Sequence, residues 1–358
     1  LGDVYKRQEG VEEENQMVTI KDVARDAGVS VGTVSNVLNG GRVSEARRKL
    51  VEASIEKLGY QVNTLAKGMR MQKTDYVVVI LPNLINPYFA LLLDALESEL
   101  SAVGKQVLLC LSGDDAEREV AFMDMAKQNK VDGIIGVTYS KVEEERIENM
   151  AFVSIDRHYK SHIPCVAGDN WQGGWLAAEN LHKRGSTNLL CFMTMSSVDS
   201  EVRKRRVGFT EYCMEHDLSC NSVEMSEKQI VSVYESYGSR KLIHNMLRAY
   251  ISPSMGEHSI DGIFTSSDHL AMIVQEELEE MGKRVPEDIQ IIGYDGLQFL
   301  NQGKPIVSSI AQPVHEIAKE AVRCLNELIA NGKTEGNTKI PVSFQEGPTT
   351  KTLVTEEK

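Results

Sequence analysis

Two hydrophobic patterns divide the chain. The first is short and helical. Thr19-Ile20-Lys21-Asp22 has the form of a capping box with Asp in place of Glu, which starts a helix at Ile20. Ile20, Val23, Ala24 and Ala27 then recur at helical spacing as one apolar face, and Gly28 supplies the left-handed residue that ends it. Ser30 caps a second helix whose inner face is Val31 or Val34, with Val37 and Leu38. A third helix follows Ser44 and runs to Leu58, closed by Gly59. Two short helices joined by a tight Gly-containing turn, with small Ala24 at the crossing, spell helix-turn-helix.

From Tyr76 the pattern changes to short apolar runs alternating with helical segments. The expected order is strand Tyr76–Leu81, helix Pro87–Val103, strand Gln106–Leu111, helix Ala116–Gln128 and strand Gly133–Val137. It continues with Phe152–Ile155, Trp171–Lys183, Asn188–Phe192, Glu201–His216, Gly262–Thr265, His269–Met281 and Ile289–Gly293. Repeated βα units mean parallel sheets with ligands bound beyond the strands' carboxyl ends. The series is too long for one typical sheet and predicts two lobes.

Composition narrows the class. Of 358 residues, 42% are hydrophobic and 25% charged, ordinary for a globular protein and wrong for disorder or collagen. No apolar run approaches the roughly 18 residues needed to span a bilayer, and the start lacks a signal-peptide core. The six cysteines form no CxxC pair and read as buried small hydrophobes or free thiols, so a cytoplasmic protein is expected. Net charge is −13, yet residues 17–73 carry ten basic and five acidic side chains. A basic head on an acidic body points to contact with a polyanion. Residues 1–16 show no periodicity and are read as a disordered tail or an upstream-translation artefact.

The wording of the head is tighter than its pattern. TIKDVARDAGVSVGTVSNVLNG (Thr19–Gly40), Val43-Ser44 and LGYQVNTLAKGM (Leu58–Met69) closely resemble the headpiece of the lactose-repressor/galactose-repressor family. The resemblance implies a recognition helix from Val31 lying in the major groove, with Val31, Gly32 and Asn36 at its base-reading positions. Asn can pair bidentately with adenine and Val can meet a thymine methyl, while Gly32 reads nothing itself. Thr33, Ser35, Asn39 and Arg42 suit phosphate contacts, which position without specifying. The resemblance also places Thr19 and Ser30 at the DNA, and makes residues 62–74 a hinge helix and linker. There Asn63, Ala66, Lys67 and Met69 meet the minor groove, with Met69 in the place of a wedging Leu. The DNA-binding domain is expected over 17–61.

The body, 75–358, resembles the same family's effector domain, whose fold is that of two-lobed periplasmic sugar receptors. The phrases that carry this are Asn86-Pro87-Tyr88-Phe89, Ile155-Asp156-Arg157, Gly168-Asp169-Asn170, Gly173-Gly174, Gly208-Phe209, Ser267-Asp268, Gly293-Tyr294-Asp295, and Ser308-Ser309-Ile310 before Gln312. The implied architecture is an all-α helix-turn-helix headpiece with a hinge helix, joined to a two-lobed α/β periplasmic-binding-protein-like (type I) effector domain. Lobe one is expected over about 75–168 plus 304–333, and lobe two over 169–303 plus 334–358, with three crossings between them.

Strand ends and the family pattern together put Asn86, Tyr88, Phe89, Asp156, Arg157, Arg203, Ser267, Asp268, Asp295 and Gln312 at the effector site. Aromatic faces suit the C–H surfaces of a sugar ring or a flat base. Asp156 and Arg157 are opposed charges that can hold hydroxyls and steady one another. Arg205 is a near alternative to Arg203, and Asp268 has a competing reading as a helix cap. Ser267 replaces an Asn common in sugar-binding relatives.

The reading that follows is a DNA-binding regulator, a repressor, controlled by a small molecule between the lobes. A carbohydrate is expected there; a purine or nucleoside, or a phosphorylated metabolite, is the alternative. A receptor-like sugar-binding module without DNA function would lack the head. No GxxxxGK[ST], HExxH or paired CxxC occurs, and neither catalysis nor a metal or cofactor is expected. The expected partners are a pseudo-palindromic duplex, a second copy of the chain in a homodimer (no leucine-heptad tail follows the last strand) and no membrane.

Overall fold

A computed structural model describes residues 18–61, 74–139, 147, 150–159, 163–195, 198, 200–251, 259–298 and 302–353. The expected tail and hinge helix, with Asn63, Ala66, Lys67 and Met69, lie outside them. The chain divides into two compact units, 1–70 and 71–358.

The first unit holds α1 (Ile20–Asp26), α2 (Val31–Leu38) and α3 (Glu45–Leu58). The Asp22 carboxylate accepts the Thr19 backbone N–H at 3.0 Å and the Thr19 hydroxyl at 2.6 Å, closing the first turn. Gly28 follows α1 at φ 63°, where a Cβ would be strained, and redirects the chain toward α2. Ser30 Oγ accepts the Thr33 N–H at 3.2 Å as the cap of α2. Val23, Ala24, Ala27, Val34, Val37 and Val51 form the shared core. Val34 rather than Val31 therefore belongs to the inner face.

In the second unit two six-stranded sheets account for the alternation seen in sequence. The first has strand order β11-β5-β4-β3-β1-β2 and is parallel throughout. Its strands are β1 (Tyr76–Leu81), β2 (Gln106–Leu111), β3 (Gly133–Gly136), β4 (Phe152–Ile155), β5 (Cys165–Gly168) and β11 (Thr338–Ile340). The second has order β12-β10-β9-β8-β6-β7 and is parallel except for the antiparallel β10–β12 pair. Its strands are β6 (Asn188–Met195), β7 (Ser219–Ser226), β8 (Gly262–Thr265), β9 (Gln290–Asp295), β10 (Ser308–Ala311) and β12 (Ser343–Gln345).

Covering both faces of a parallel sheet explains why β1 reads YVVVIL without alternation. Val77, Val79 and Leu81 enter one core while Val78 and Ile80 enter another. The second sheet does the same with Leu190 and Phe192 against Leu189, Cys191 and Met193. The covering helices that matter for the site are α4 (Pro87–Ala102), α5 (Ala116–Gln128), α6 (Asn170–Lys183), α7 (Arg203–Glu215), α8 (Glu227–Glu235), α9 (Lys241–Ile251), α10 (Asp268–Glu280) and α11 (Val314–Asn331).

The chain crosses between sheets three times, as expected, but two crossings fall elsewhere. β10, within the 304–333 assigned to lobe one, pairs with β9 of the second sheet, Ser308 facing Ile292. β11, within the 334–358 assigned to lobe two, pairs with β5 of the first, Thr338 facing Val166. The crossings therefore lie at 168–170, 312–313 and 341–342. Both strands are short, and their sequences carry no mark of the sheet that will accept them. The crossings converge: a Cβ added to Gly168 would lie 3.2 Å from Val342 and 3.4 Å from Gln312.

Candidate ligand cleft and nucleic-acid interface

On α2 each residue turns by roughly 100°, which puts Val31, Ser35, Asn39, Gly32 and Asn36 within an arc of about 140°. Val34 and Val37 occupy the opposite, buried side. Val31, Gly32, Asn36 and Asn39 are exposed, as are Thr19, Ser30 and Arg42, while Thr33 and Ser35 are half-buried. Ser30 and Thr33 hydroxyls lie 3.0 Å apart, and Asn39 Nδ2 donates to Ser35 Oγ at 3.3 Å. A Cβ at Gly32 would meet nothing closer than Ser30 Oγ at 3.8 Å. The helix thus presents one apolar methyl pair, one open amide and a blank at Gly32, flanked by hydroxyls.

In the second unit, a cavity of about 80 Å³ opens at the carboxyl ends of the two sheets, several times the roughly 10–15 Å³ one water needs. Its walls bring together eight of the ten residues expected: Asn86, Tyr88, Phe89, Asp156, Arg203, Ser267, Asp295 and Gln312. Asn86 caps α4 by accepting the Tyr88 N–H at 3.1 Å, which sets the aromatic pair on the first turn beyond β1. The two rings pack edge to face, 5.5 Å apart at 61°, and both are buried in the core beneath the cavity. Asp295 closes β9, two residues beyond the strand end read from sequence, and Gln312 Nε2 donates to its Oδ1 at 2.9 Å. Asp156 follows β4 at φ 60° and accepts from Asn170 Nδ2 at 3.3 Å.

Electrostatically the cavity is a pair of buried carboxyls around one buried guanidinium, that of Arg205. Burial pushes Asp156 up to about 6 and Asp295 up to about 7, against the pull of Arg205. Arg205 is itself buried. It donates from Nε to Asn170 Oδ1 at 2.6 Å and from NH1 to the Ser266 carbonyl at 2.8 Å, with its guanidinium 3.5 Å from the Tyr294 ring centre. Of the two arginines weighed in sequence, both line the cavity, and Arg205 is the one fixed at its floor.

Two expected residues do not line the cavity. Arg157 turns away, its NH1 3.2 Å from Thr138 Oγ1 and its guanidinium over the Tyr159 ring; successive residues leaving a strand point to opposite sides, so Asp156 and Arg157 do not share a face. Asp268 is the first residue of α10, whose cap is Ser267. Its carboxylate accepts the Leu297 N–H at 2.7 Å and the Ser309 hydroxyl at 2.6 Å. It pins the turn after β9 and so positions Asp295.

Other lining residues were not read from sequence: Thr194, Ser266 and, from α8, Ile230, Val231 and Tyr234. Thr194 was missed because β6 runs on to Met195 rather than ending at Phe192. Arg205 had a signal: with Gly208, Phe209 and Tyr212 it forms an i, i+3, i+4, i+7 stripe, and all four are buried. A charge on that stripe must be paired. Outside the cleft, His244, Glu277 and Glu280 bring ligand-type atoms within 4.8 Å of one another. There His244 Nδ1 lies 3.1 Å from Glu277, and Glu280 accepts the Tyr237 hydroxyl. Among the described residues no helix is long and apolar enough to cross a membrane.

These features can be set against known proteins. Residues 19–63 match the family described as bacterial regulatory proteins, lacI family, and 178–350 match the periplasmic binding protein-like domain. A sucrose operon repressor of Pediococcus pentosaceus is 32% identical over 332 residues, covering 92% of this chain and 98% of its own. The HTH-type transcriptional repressor PurR of Aliivibrio salmonicida is 28% identical, with 87% and 92% covered. A solved periplasmic binding protein/LacI transcriptional regulator from Alkaliphilus metalliredigens, complexed with D-xylulofuranose, superposes with a TM-score of 0.66 at 26% identity, covering 78% of this chain and 100% of that one. With its capped recognition helix, its two-sheet body and this identity over nearly its whole length, the chain belongs to the lacI family of bacterial regulatory proteins, the DNA-binding regulators of transcription.

Proposed function

We propose that a carbohydrate bound between the two sheets sets the affinity of this regulator for its operator, and that two copies of the chain act together on a pseudo-palindromic site. One observation carries the ligand class. Four buried polar atoms on cavity-lining residues have no hydrogen-bond partner among the described residues: Tyr88 Oη, Ser200 Oγ, Asp295 Oδ2 and Gln312 Oε1. Each unpaired buried group costs about 1–3 kcal/mol. A polyol answers this set, because every hydroxyl can donate to the two acceptor oxygens or share with the two hydroxyls.

A purine fits less well. Tyr88 and Phe89 are packed edge to face into the core, so they present no slot for stacking a base. The D-xylulofuranose of the Alkaliphilus complex and the sucrose for which the Pediococcus operon repressor is named support the same class. Asp156 extends from the first sheet and Asp295 from the second, so a ligand touching both favours one lobe arrangement over another. It shifts operator affinity only by its difference in affinity for the two. On the DNA side, the exposed arc of α2 supports Asn36 and Val31 as base readers, with Thr33, Ser35, Asn39 and Arg42 on phosphates.

The test is operator binding by the full chain, followed by fluorescence anisotropy, with ribose, fructose, glucose, sucrose, hypoxanthine and glucose 6-phosphate added in turn. A carbohydrate that changes operator affinity about tenfold or more supports the reading, by analogy with ordinary allosteric couplings. A response to hypoxanthine alone, or to the phosphate ester but not to any neutral sugar, refutes it.

A further inference from the structure

Beside the inner cavity lies a second compartment of about 320 Å³. The two share Asn83 and Val231 in their walls, so one ligand can extend from one to the other without leaving the cleft. Asn83 Oδ1 is taken by the backbone N–H groups of Ile85 at 2.9 Å and Asn86 at 3.2 Å, which holds this side chain at the junction.

The outer compartment is equipped for recognition rather than merely empty. Asp114 Oδ1 is buried and has no hydrogen-bond partner among the described residues. The loop after β2 presents it through two successive left-handed residues, Gly113 at φ 64° and Asp114 at φ 57°. That conformation is unfavourable for a residue with a side chain. Burial also pushes the Asp114 carboxyl up to about 6, so a hydroxyl donating to it would favour its ionised form. Across the compartment, α8 contributes Lys228 and Glu235. Lys228 is exposed, and Ile85 and Val231 give the apolar surface a ring's C–H face requires.

We propose that the effector is a disaccharide or another glycoside, with one ring in the inner cavity and its second ring in the outer compartment against Asp114 and Lys228. This rests on the carbohydrate reading of the cleft. Two carboxylates against one ammonium disfavour an anionic substituent on this side, which separates a neutral second ring from a phosphate group. The outer compartment offers room for a second ring that a lone monosaccharide in the inner cavity would leave unused.

The experiment is calorimetric titration of the full chain with sucrose, maltose, cellobiose and lactose, and with glucose, fructose, galactose and ribose. D114N and K228A are titrated with the same set. The expected result is at least one disaccharide bound about tenfold or more tighter than either of its component sugars. Each variant should lose about tenfold for that disaccharide, the equivalent of one charge-assisted hydrogen bond, and stay within about twofold for the monosaccharide. Monosaccharide binding also reports that the variants fold. Monosaccharides binding as tightly as any disaccharide would overturn the second ring and leave the carbohydrate cleft standing. Equal losses for both sugar classes would assign Asp114 and Lys228 to lobe closure and also overturn it. If no carbohydrate binds, both readings fall.

Discussion

Replacing Asp295 by Asn should make the effector-free protein more stable and its ligand binding weaker. In the folded chain burial holds this carboxyl at about 7, against an ordinary value of 3.8. That interval of about three pH units is equivalent to about 4 kcal/mol. The sign follows from proton binding. Between the ordinary value and about 7 the folded state holds a proton the unfolded state has released, so stability falls as pH rises through that window and is lowest above it. Asn keeps the shape and an oxygen for Gln312 Nε2, which now bonds Oδ1 at 2.9 Å, but carries no charge to desolvate. Asp268, pushed well up by burial and by the Asp295 charge, is relieved in the same direction.

At pH 8 the variant should therefore gain about 2–4 kcal/mol, discounted for an amide nitrogen left facing the cavity. For a body of this size that is roughly 4–8 °C in melting temperature. Its melting temperature should also fall less than the wild type's between pH 5 and 8, with the residual slope coming from Asp156, held at about 6. Carbohydrate binding should weaken about tenfold through loss of a charged acceptor, with operator affinity nearly unchanged. Melting curves from pH 5 to 8 and titration with the cognate sugar check both halves. A destabilised variant at pH 8, or a pH profile parallel to the wild type's, would refute the burial argument. Unchanged sugar affinity would remove Asp295 from the contact.

Asn36→Ala should cost roughly 1–3 kcal/mol of operator binding while sparing scrambled DNA; equal loss on both, in anisotropy titrations, would make Asn36 a phosphate contact. Gly208→Ala should destabilise the body by about 1–3 kcal/mol or more, because its Cβ would lie 2.0 Å from the Trp171 carbonyl of α6. The shift of α7 should also move Arg205 and reduce sugar affinity. A variant that melts normally and binds sugar normally would show that the two helices can separate without consequence.

The head was almost wholly legible because its information is local. Capping by Thr19, Asp22 and Ser30, the left-handed Gly28 and the helical spacing of Val23, Val34 and Val37 each act within a few residues. One ambiguity, Val31 against Val34, needed the packing of the third helix to settle. In the body, β1 and β8 were readable to the residue because a strand buried on both faces is a continuous apolar run. Strand ends inside the cleft were not: β6 runs on through Met193, Thr194 and Met195, and β9 through Tyr294 and Asp295, where polar residues break the apolar run.

What the sequence determined is therefore the order of elements, the division into head and body, and the chemistry gathered at strand ends. Tertiary structure decided which sheet receives β10 and β11, that Arg157 and Asp268 turn from the cavity, and that Arg205 lies at its floor. The physical reason is range. Capping and periodicity act over one to seven residues and leave a mark in the local pattern. The pairing of Thr338 with Val166, or the hydrogen bonding of Arg205 to Asn170 and Ser266, joins residues tens to hundreds of positions apart and depends on surfaces that exist only after the chain has folded.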